Sequence, residues 1–418
     1  MKQGWGASAL LLVLAGCGSA GFPDDPAALG IHPYPNQAGK VDVNGEKNFA
    51  TLINNYQNGQ PAKTPLVGYW WPYTANGIAS GRNGGGQSPA GKYDAARGIG
   101  PNGQRYNSQA WEVQHHGAGV PRVEGWWGHC NGWCAAAALY DEPRAPVRYG
   151  NINFSVGDMK ALYSEAGMLT SADFYGNRWD YNTDPDYKKE DIVPNQMFLV
   201  LTNYMGNLKL PVLMDRYTGT QVWNQPMVAY QMEYPKPEDY IGPHPSAPGV
   251  YRINVTTTIW WGEDGVGADE ITEPFEFRQS RQFTPRTLKS ELWLDGPVVF
   301  NGTRVVSSGN LIVTRIPNTD GVVGGAWLGD ANDSMNGHPD YLWVPFSILN
   351  ANNPDENNPA DDFANNQIDL GWFRRHIIGG EPDTTATPIP VSTAPAPIAT
   401  SSPHPIPAPQ PQPHPPRP

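Results

Sequence analysis

The spacing of apolar residues changes along the chain from a helical to a strand-like pattern. Helical spacing covers residues 47–56, 159–165 and 194–205, and Ser155 with Asp158 matches a capping box just before the second of these. Alternating apolar residues then predict strands over residues 210–214, 228–234, 250–261, 275–277, 290–294, 311–316, 322–328 and 341–346. Helices followed by antiparallel strands indicate the α+β fold class.

Two early segments have other compositions. Residues 67–73 are rich in aromatic side chains, which predicts a strand or a sheet edge. Residues 76–103 are rich in Gly, Asn and Ser and therefore predict a long surface loop. Loops of this length often have a function of their own.

The start of the chain has the pattern of an export signal. Residues 1–16 begin with a methionine and a lysine and continue into an apolar run that is too short to span a bilayer. The run ends in Leu-Ala-Gly followed by Cys17, which matches the bacterial lipobox and predicts that the Cys17 thiol is lipidated. An ordinary signal peptide cleaved near Ala20 is the alternative. Lipidation of Cys17 predicts an exported protein that its acyl chains anchor to a membrane. Gly18 after the cysteine favours the bacterial outer membrane or cell surface as its location.

Composition divides the chain into segments. Residues 1–17 form the signal peptide and lipobox, and residues 18–45, rich in Gly, Pro, Ala, Asp and Asn, predict a flexible tether. Residues 46–380 form the globular region of a chain of 418 residues, of which 39% are hydrophobic, so there is ample material for a large core. Residues 381–418 are rich in proline and predict a disordered tail.

The charge and the cysteine count narrow the choice of function. A net charge of -12 at pH 7 excludes a broad basic face, so nucleic acid is not an expected partner, and the lipid anchor is the expected contact with the membrane. The chain has 3 cysteines. The two that follow Cys17 lack the density of a disulfide scaffold, and they suit chemistry better than architecture.

The first of these two cysteines lies where a helix is predicted to begin. Cys130 follows a Trp-Trp-Gly-His sequence and precedes Asn131 and Gly132, which are acceptable N-cap residues. A run of alanines propagates the helix, and Pro143 ends it. The positive end of the helix dipole favours a thiolate at Cys130. With a histidine supplied from elsewhere, this is the arrangement that papain-like enzymes use for acyl transfer.

Three other interpretations apply to the same stretch. Cys134 lies within the first helical turn among alanines and is expected to be a small core residue rather than a reagent. A disulfide between Cys130 and Cys134 is disfavoured, because two residues four apart on a helix strain such a bond. A zinc site built from His115, His129 and Cys130 matches no recurring ligand spacing.

The general base is sought after the cysteine. Three histidines follow Cys130 in the globular region: His244, His338 and His376. We select His338, because it immediately precedes a predicted strand, and we select Asp340 as the carboxylate that orients it. Asp330 and Asp215 remain alternatives to Asp340, and a turn that begins the strand is the other interpretation of residues 338–340.

A further polar stretch precedes the cysteine. Gln114, His115 and His116 are candidates for an oxyanion donor or for the catalytic imidazole itself. The alternative interpretation is a solvated loop, because adjacent histidine side chains point apart in most backbones.

Two separated motifs resemble the transglutaminase elicitor family of oomycete cell walls, which has bacterial relatives. Residues 222–226, Val-Trp-Asn-Gln-Pro, match the beginning of the surface peptide of that family, and an aromatic residue follows at Tyr230. Cys130 followed by Asn-Gly-Trp and an alanine-rich helix resembles the second motif, and residues 338–343 resemble a third more weakly. Taken by itself, the peptide reads as a turn before a strand. It is therefore expected to be an exposed hairpin that supports the active site.

The resemblance implies a calcium-dependent protein-glutamine γ-glutamyltransferase with a core similar to papain-like cysteine proteases. In that chemistry the Cys130 thiolate attacks a glutamine carboxamide, ammonia leaves, and a lysine amine accepts the acyl group, so the expected partners are proteins that carry glutamine and lysine. Oxygen-rich loops for Ca²⁺ occur at residues 184–186, 330–333 and 355–362, although none has the EF-hand spacing.

Two alternatives to transfer remain open. The same residues suit a papain-like cysteine peptidase or a glutamine deamidase, because water then replaces the amine as the acceptor. The alternative outside enzymes is a surface-binding lipoprotein whose thiol is structural, for which the abundant Trp and Tyr and the Pro-rich tail are the relevant features.

Overall fold

The computed structural model describes residues 45–81, 87–99, 107–176, 191–217, 221–277, 279–315, 322–332, 337–348 and 364–379. The predicted export signal with Cys17, nearly all of the tether and the Pro-rich tail lie outside these ranges. The same holds for the oxygen-rich loops at residues 184–186 and 355–362. Within the described ranges, no helix is long and apolar enough to cross a membrane.

The helices lie mainly in the first half of the described chain. Their bounds are α1 Phe49–Asn55, α2 Pro89–Ala96, α3 Ser108–His115, α4 Cys130–Leu139, α5 Val156–Ala166, α6 Pro194–Val200 and α7 Leu370–Phe373. The last two continue as π-helical segments, Leu201–Leu208 after α6 and Arg374–Ile378 after α7.

The strands alternate with short connections and dominate the second half. Their bounds are β1 Asn58–Gly59, β2 Val147–Tyr149, β3 Ile152–Phe154, β4 Thr170–Gly176, β5 Leu213–Asp215, β6 Asn224–Met232, β7 Tyr240–Pro243, β8 Tyr251–Gly262, β9 Phe283–Leu294, β10 Val299–Asn301, β11 Arg304–Ser307, β12 Thr314–Arg315, β13 Val322–Val323, β14 Ala326–Leu328 and β15 Tyr341–Ile348.

The main sheet is antiparallel throughout. Its strands follow the order β14-β9-β8-β6-β5-β15-β4, and β1 and β7 pair with β6 and β8 beside this path. Shorter hairpins join β2 to β3, β10 to β11 and β12 to β13. The predicted combination of helices with an antiparallel sheet is therefore confirmed.

Strand β15 shows how the sheet separates two apolar clusters. Because side chains alternate along a strand, Leu342 and Val344 join one cluster, and Tyr341 and Trp343 join another. The second cluster contains Cys130, so α4 packs on that face of the sheet.

A third cluster covers the other face of α4. It joins Ala136 of α4 to Leu162 of α5 and to Phe373 of α7. The cysteine helix therefore lies between the sheet and α5, which fixes it on both sides.

Helix α5 is the element that local sequence specifies most completely. The Ser155 hydroxyl accepts a hydrogen bond from the Asp158 N–H at 3.2 Å, and the Asp158 carboxylate accepts one from the Ser155 N–H at 2.7 Å. This is the predicted capping box, and Gly167 is the C-cap. The helix extends the predicted bounds by a few residues at its start and one at its end.

The predicted strand and loop before α4 differ from the structure. Residues 67–73 form isolated bridges through Tyr69 and Pro72 rather than a strand, and Trp71 has a φ of 48°, which interrupts extended backbone. The predicted loop over residues 76–103 contains the 3₁₀ helix Gly77–Ala79 and the helix α2. Helix α2 begins with a Ser N-cap and a Pro, a start signal that the abundance of glycine obscured.

Other elements differ because local signals were weak. Residues 275–277 form a 3₁₀ helix rather than a strand, and the helix predicted to stop at Gly206 continues through it to a left-handed Lys209. Strand β4 was not predicted, because it is buried at nearly every position and lacks the alternation of a half-buried strand.

A glycine allows α4 and α5 to approach closely. A Cβ added at Gly132 would overlap the carbonyl oxygen of Ser164 and lie 2.8 Å from the backbone nitrogen of Met168, neither of which is able to rotate away. We therefore expect Gly132→Ala to lower the free energy of unfolding by about 1–3 kcal/mol, as overpacking does in other cores. Urea unfolding measures the change. The control is Gly125→Ala, where a Cβ meets nothing within 4 Å; equal midpoints for the two variants would contradict the prediction.

Candidate functional site

The candidate site begins at the first residue of α4. Cys130 is the first helical residue and His129 is the N-cap, so Cys130 lies at least two positions further into the helix than the predicted N-cap at Asn131 or Gly132 implies. The His129 side chain makes no capping hydrogen bond, so the first-turn amides of α4 have no side-chain cap. Free amide groups at a helix start attract negative charge.

Indole rings surround the cysteine, as the sequence indicated. Cys130 is 1% exposed and belongs to a cluster with Trp126, Trp127 and Trp133. Trp223, half-buried, packs against this cluster from the strand side. The sulfur therefore lies in a largely apolar setting.

Cys134 is free and buried, so the disfavoured Cys130–Cys134 bond does not form. Cys130 Sγ lies 3.9 Å from the carbonyl oxygen of Val222.

Cys134 has the character expected of a core residue. It is 0% exposed. Burial raises the pKa of its thiol well above the usual range, and the carboxylates of Asp264 and Asp215 raise it further. A thiol with a raised pKa is a poor nucleophile at neutral pH, so Cys134 does not compete with Cys130 for the chemical role.

His338 lies in a buried pocket of its own. Its Nδ1 is 2.6 Å from the Ala331 carbonyl oxygen, its Nε2 is 3.2 Å from the Asp191 carboxylate, and its ring stacks on Trp327. These contacts lead toward Asp191 rather than toward Cys130. The assignment of His338 as the general base therefore stays a prediction.

The candidate carboxylates occupy three different settings. Asp340 is buried beside β5, where its N–H donates to the Asp215 carbonyl oxygen at 3.1 Å. Asp215 itself ends β5, and its carboxylate accepts the Trp223 N–H at 2.8 Å. Asp330 is exposed in a short 3₁₀ helix. Through Val222 and Trp223, Asp215 is the candidate that the described contacts link to Cys130.

The peptide over residues 222–233 is not the exposed hairpin that the sequence predicted. Asn224 and Gln225 are buried at 2% and 0% exposure and lie in the part of β6 that pairs with β5. The Asn224 side chain accepts a hydrogen bond from Trp343 Nε1 at 2.9 Å. Pro226 is tolerated because β8 pairs with β6 only from Met227 onward. The predicted support for the site is retained through Val222.

The polar stretch at residues 114–116 is not a solvated loop. Gln114 is exposed at the end of α3, and the half-buried His115 stacks on Trp111. His116 is buried and turns toward carboxylates of α3 and α5. Neighbouring histidines thus point apart, as expected, but one of them points inward.

Among the described residues, one group of side chains has the composition of a metal site: Glu112, His116, His129 and Glu165. We call it the His-Glu cluster. All four are buried, and one ligand atom from each lies within 4.8 Å of the others. Burial lowers the pKa of both imidazoles, but the two carboxylates outweigh it and raise the pKa of His116 to about 9 and that of His129 to about 10.

Neither the His-Glu cluster nor the burial of Asn131 was predicted from the sequence. Glu112 and Glu165 lie 53 positions apart, and the four residues of the cluster follow no recurring metal-ligand spacing. The sequence therefore indicated only that Glu112 and His116, at positions i and i+4, are neighbours on a helix. Asn131, treated as an N-cap residue, is 1% exposed, and neither amide atom has a hydrogen-bond partner in the described structure. Asn131 is thus a buried polar side chain, next to Cys130, whose amide atoms make no hydrogen bond in the described structure.

Comparison with known proteins finds a family match that includes the region around Cys130. A family model described as Transglutaminase elicitor matches residues 108–239, which include Cys130 and the peptide at residues 222–233, so the predicted resemblance is confirmed. The fold is similar to the crystal structure of the GP42 transglutaminase from Phytophthora sojae, with a TM-score of 0.52 and 18% identity over 74% of this chain and 88% of that chain. No curated protein sequence matches the chain.

Proposed function

We propose, from the transglutaminase elicitor region at residues 108–239, that this chain is a protein-glutamine γ-glutamyltransferase whose nucleophile is Cys130. The observation that carries the proposal is the position of Cys130 at the uncapped start of α4, walled by indole rings. Acyl transfer by a cysteine requires a thiolate and donors for an oxyanion, and a helix start supplies both. The family resemblance selects glutamine as the acyl donor.

The proposed reaction proceeds through a thioester. The Cys130 thiolate attacks the carbonyl carbon of a glutamine carboxamide, and the oxyanion that develops is stabilised by first-turn amides of α4 and the side chain of Asn131. The C–N bond then breaks, and ammonia leaves with a proton from an imidazolium. A lysine amine attacks the thioester, gives its proton to the imidazole, and releases the thiolate as the isopeptide bond forms.

The rest of the proposed machinery follows from the sequence motifs. We assign the general base to His338, oriented by Asp340 or with Asp215 as the alternative carboxylate, on a core of papain-like type. Export and lipid anchoring at Cys17 complete the proposal as the route to protein substrates outside the cell.

Calcium enters the proposal through the family resemblance. Of the predicted oxygen-rich loops, Asp330 is described and exposed, while residues 184–186 and 355–362 lie outside the described ranges. The His-Glu cluster does not fit Ca²⁺, because that ion takes six to eight oxygen ligands and the cluster offers two imidazoles. No step of the proposed reaction is assigned to calcium.

Amine incorporation tests the proposal. A dithiol reductant keeps cysteine thiols reduced and therefore available as nucleophiles. We expect the full-length chain, assayed in the presence of a dithiol, to incorporate a labelled primary amine into a glutamine-bearing protein.

Each other outcome of this experiment has a stated meaning. Glutamine or peptide hydrolysis without label would assign the site to a deamidase or a peptidase. If the reduced chain neither incorporates the label nor hydrolyses the substrate, with or without Ca²⁺, the proposal of an enzyme is overturned in favour of a surface-binding lipoprotein.

A further inference from the structure

The His-Glu cluster is built from separate helices that meet behind the start of α4. Glu112 and His116 lie one turn apart on α3, His129 is the N-cap of α4, and Glu165 belongs to α5. All four are at most 3% exposed. Ionisable groups so deeply buried require either mutual compensation or a bound ion.

Backbone groups hold three members of the cluster in place, through Nδ1 of His129, Oε1 of Glu112 and Oε1 of Glu165. His129 Nδ1 lies 3.1 Å from the Trp71 carbonyl oxygen, which fixes Nδ1 as the protonated nitrogen and directs Nε2 inward. One Glu112 oxygen accepts the Ile78 N–H at 3.0 Å, and one Glu165 oxygen accepts the Asn365 N–H at 2.6 Å. Backbone partners of this kind orient the side chains of metal ligands in proteins.

Two of the atoms that face the centre of the cluster, one of His129 and one of Glu112, have no hydrogen-bond partner in the described structure. His129 Nε2 lies 2.5 Å from Glu165 Oε2 and 3.1 Å from Glu112 Oε1, yet it forms no hydrogen bond in the described structure. The second Glu112 oxygen, Oε2, also has no hydrogen-bond partner. His116 Nδ1 completes the group at 3.2 Å from Glu165 Oε2. A network of ion pairs would align N–H groups with oxygens, whereas convergent unsatisfied atoms are the arrangement that a cation completes.

From this convergence we propose that Glu112, His116, His129 and Glu165 bind one Zn²⁺ ion in a four-coordinate site. Two imidazole nitrogens and two carboxylate oxygens match the donors and the coordination number that Zn²⁺ prefers. With both imidazoles neutral, the two carboxylate charges are balanced by the dication. This proposal concerns metal binding alone and does not rest on the transferase activity.

The surroundings are shaped to hold these ligands. A Cβ at Gly77 would overlap Glu112 Oε1 and lie 2.8 Å from His129 Cε1, and Gly77 has a φ of 50°. The Tyr73 ring stacks on His116 at 4.9 Å between centroids. Because His129 immediately precedes Cys130, an ion at this site ties the start of α4 to α3 and α5.

The test is metal uptake by the full-length chain after treatment with a chelator. We expect one equivalent of Co²⁺ to bind, with the visible absorption of a four-coordinate ion, and one equivalent of Zn²⁺ to displace it. Cys130→Ala should leave the Co²⁺ affinity unchanged, because the cysteine is not a ligand. His116→Gln and Glu165→Gln should each lower the affinity at least about a hundredfold, since even outer contacts to ligands are worth 10–100-fold.

A matched control and a second readout separate binding from folding. His115→Gln changes the neighbouring histidine, which stacks on Trp111 outside the cluster, and should retain full affinity. Zn²⁺ should also raise the midpoint of thermal unfolding of the wild-type chain, which requires no variant to fold. Failure of the chelator-treated wild-type chain to take up Co²⁺ or Zn²⁺ would overturn the proposal. Undiminished uptake by a folded Glu165→Gln variant, or displacement of Co²⁺ by an equivalent of Ca²⁺, would do the same.

Discussion

Cys130→Ala is expected to lower the rate of amine incorporation by the reduced chain at least about 10³-fold, because removal of a covalent nucleophile removes the thioester pathway itself. The measurement is transfer of a labelled primary amine to a glutamine-bearing protein. Mass spectrometry of the wild-type chain mixed with substrate should also detect the thioester adduct on the peptide that contains Cys130. The variant cannot form that adduct.

Cys134→Ala is the matched control for this experiment. The two cysteines lie four residues apart on α4, and both are buried. Only Cys130 is at the helix start, and Cys134 has a raised pKa. We therefore expect Cys134→Ala to retain activity. Loss of activity in both variants with a common loss of stability would point to helix packing, and retained activity in Cys130→Ala would refute the choice of nucleophile.

Lys160→Met is expected to lower the free energy of unfolding by about 3–5 kcal/mol, the usual cost of removing one partner from a buried ion pair. The Lys160 ammonium, with 1% side-chain exposure, lies 2.6 Å from the Glu142 carboxylate. It also donates to the carbonyl oxygens of Val67 at 3.0 Å and Glu270 at 2.6 Å. Methionine fills the volume but leaves the carboxylate and both carbonyl groups without this donor. Chemical denaturation measures the change.

Two further variants show whether the charge is the cause. Adding Glu142→Gln to Lys160→Met removes the carboxylate charge, which is otherwise left with the exposed Arg144 at 3.7 Å, while the hydrogen bonds from Thr272 to residue 142 still have an acceptor. The double variant should therefore be more stable than Lys160→Met. Lys63→Met removes a lysine from an ion pair in which Asp141 is 97% exposed, and should cost less than about 1 kcal/mol. A Lys160→Met midpoint equal to that of Lys63→Met would contradict the prediction.

Local sequence was sufficient to predict those elements whose structure depends on neighbouring residues. The capping box at Ser155 and Asp158 predicted the start of α5, and the alanine run after Cys130 predicted α4. The motifs at Cys130 and at residues 222–226 were sufficient to predict the resemblance to the transglutaminase elicitor family, because rare residues such as Trp and Pro stand in a fixed order.

Features that depend on distant residues were not readable in the sequence. The His-Glu cluster requires α3, α4 and α5 to meet, and no spacing along the chain encodes that meeting. The Asn-Gln-Pro stretch of β6 has the composition of a turn, but its burial and its pairing with β5 outweigh that local preference.

The burial of residues 224–232 has a consequence for any molecule that recognises the family peptide as a linear epitope. In the folded chain, β6 pairs with β5 at residues 224–226 and with β8 at residues 227–232, and among its side chains that of Gln231 alone is exposed. A receptor or an antibody directed at the extended peptide therefore meets it in denatured or proteolysed chains, while the native chain conceals it. Display of this peptide would report the breakdown of the protein rather than its presence.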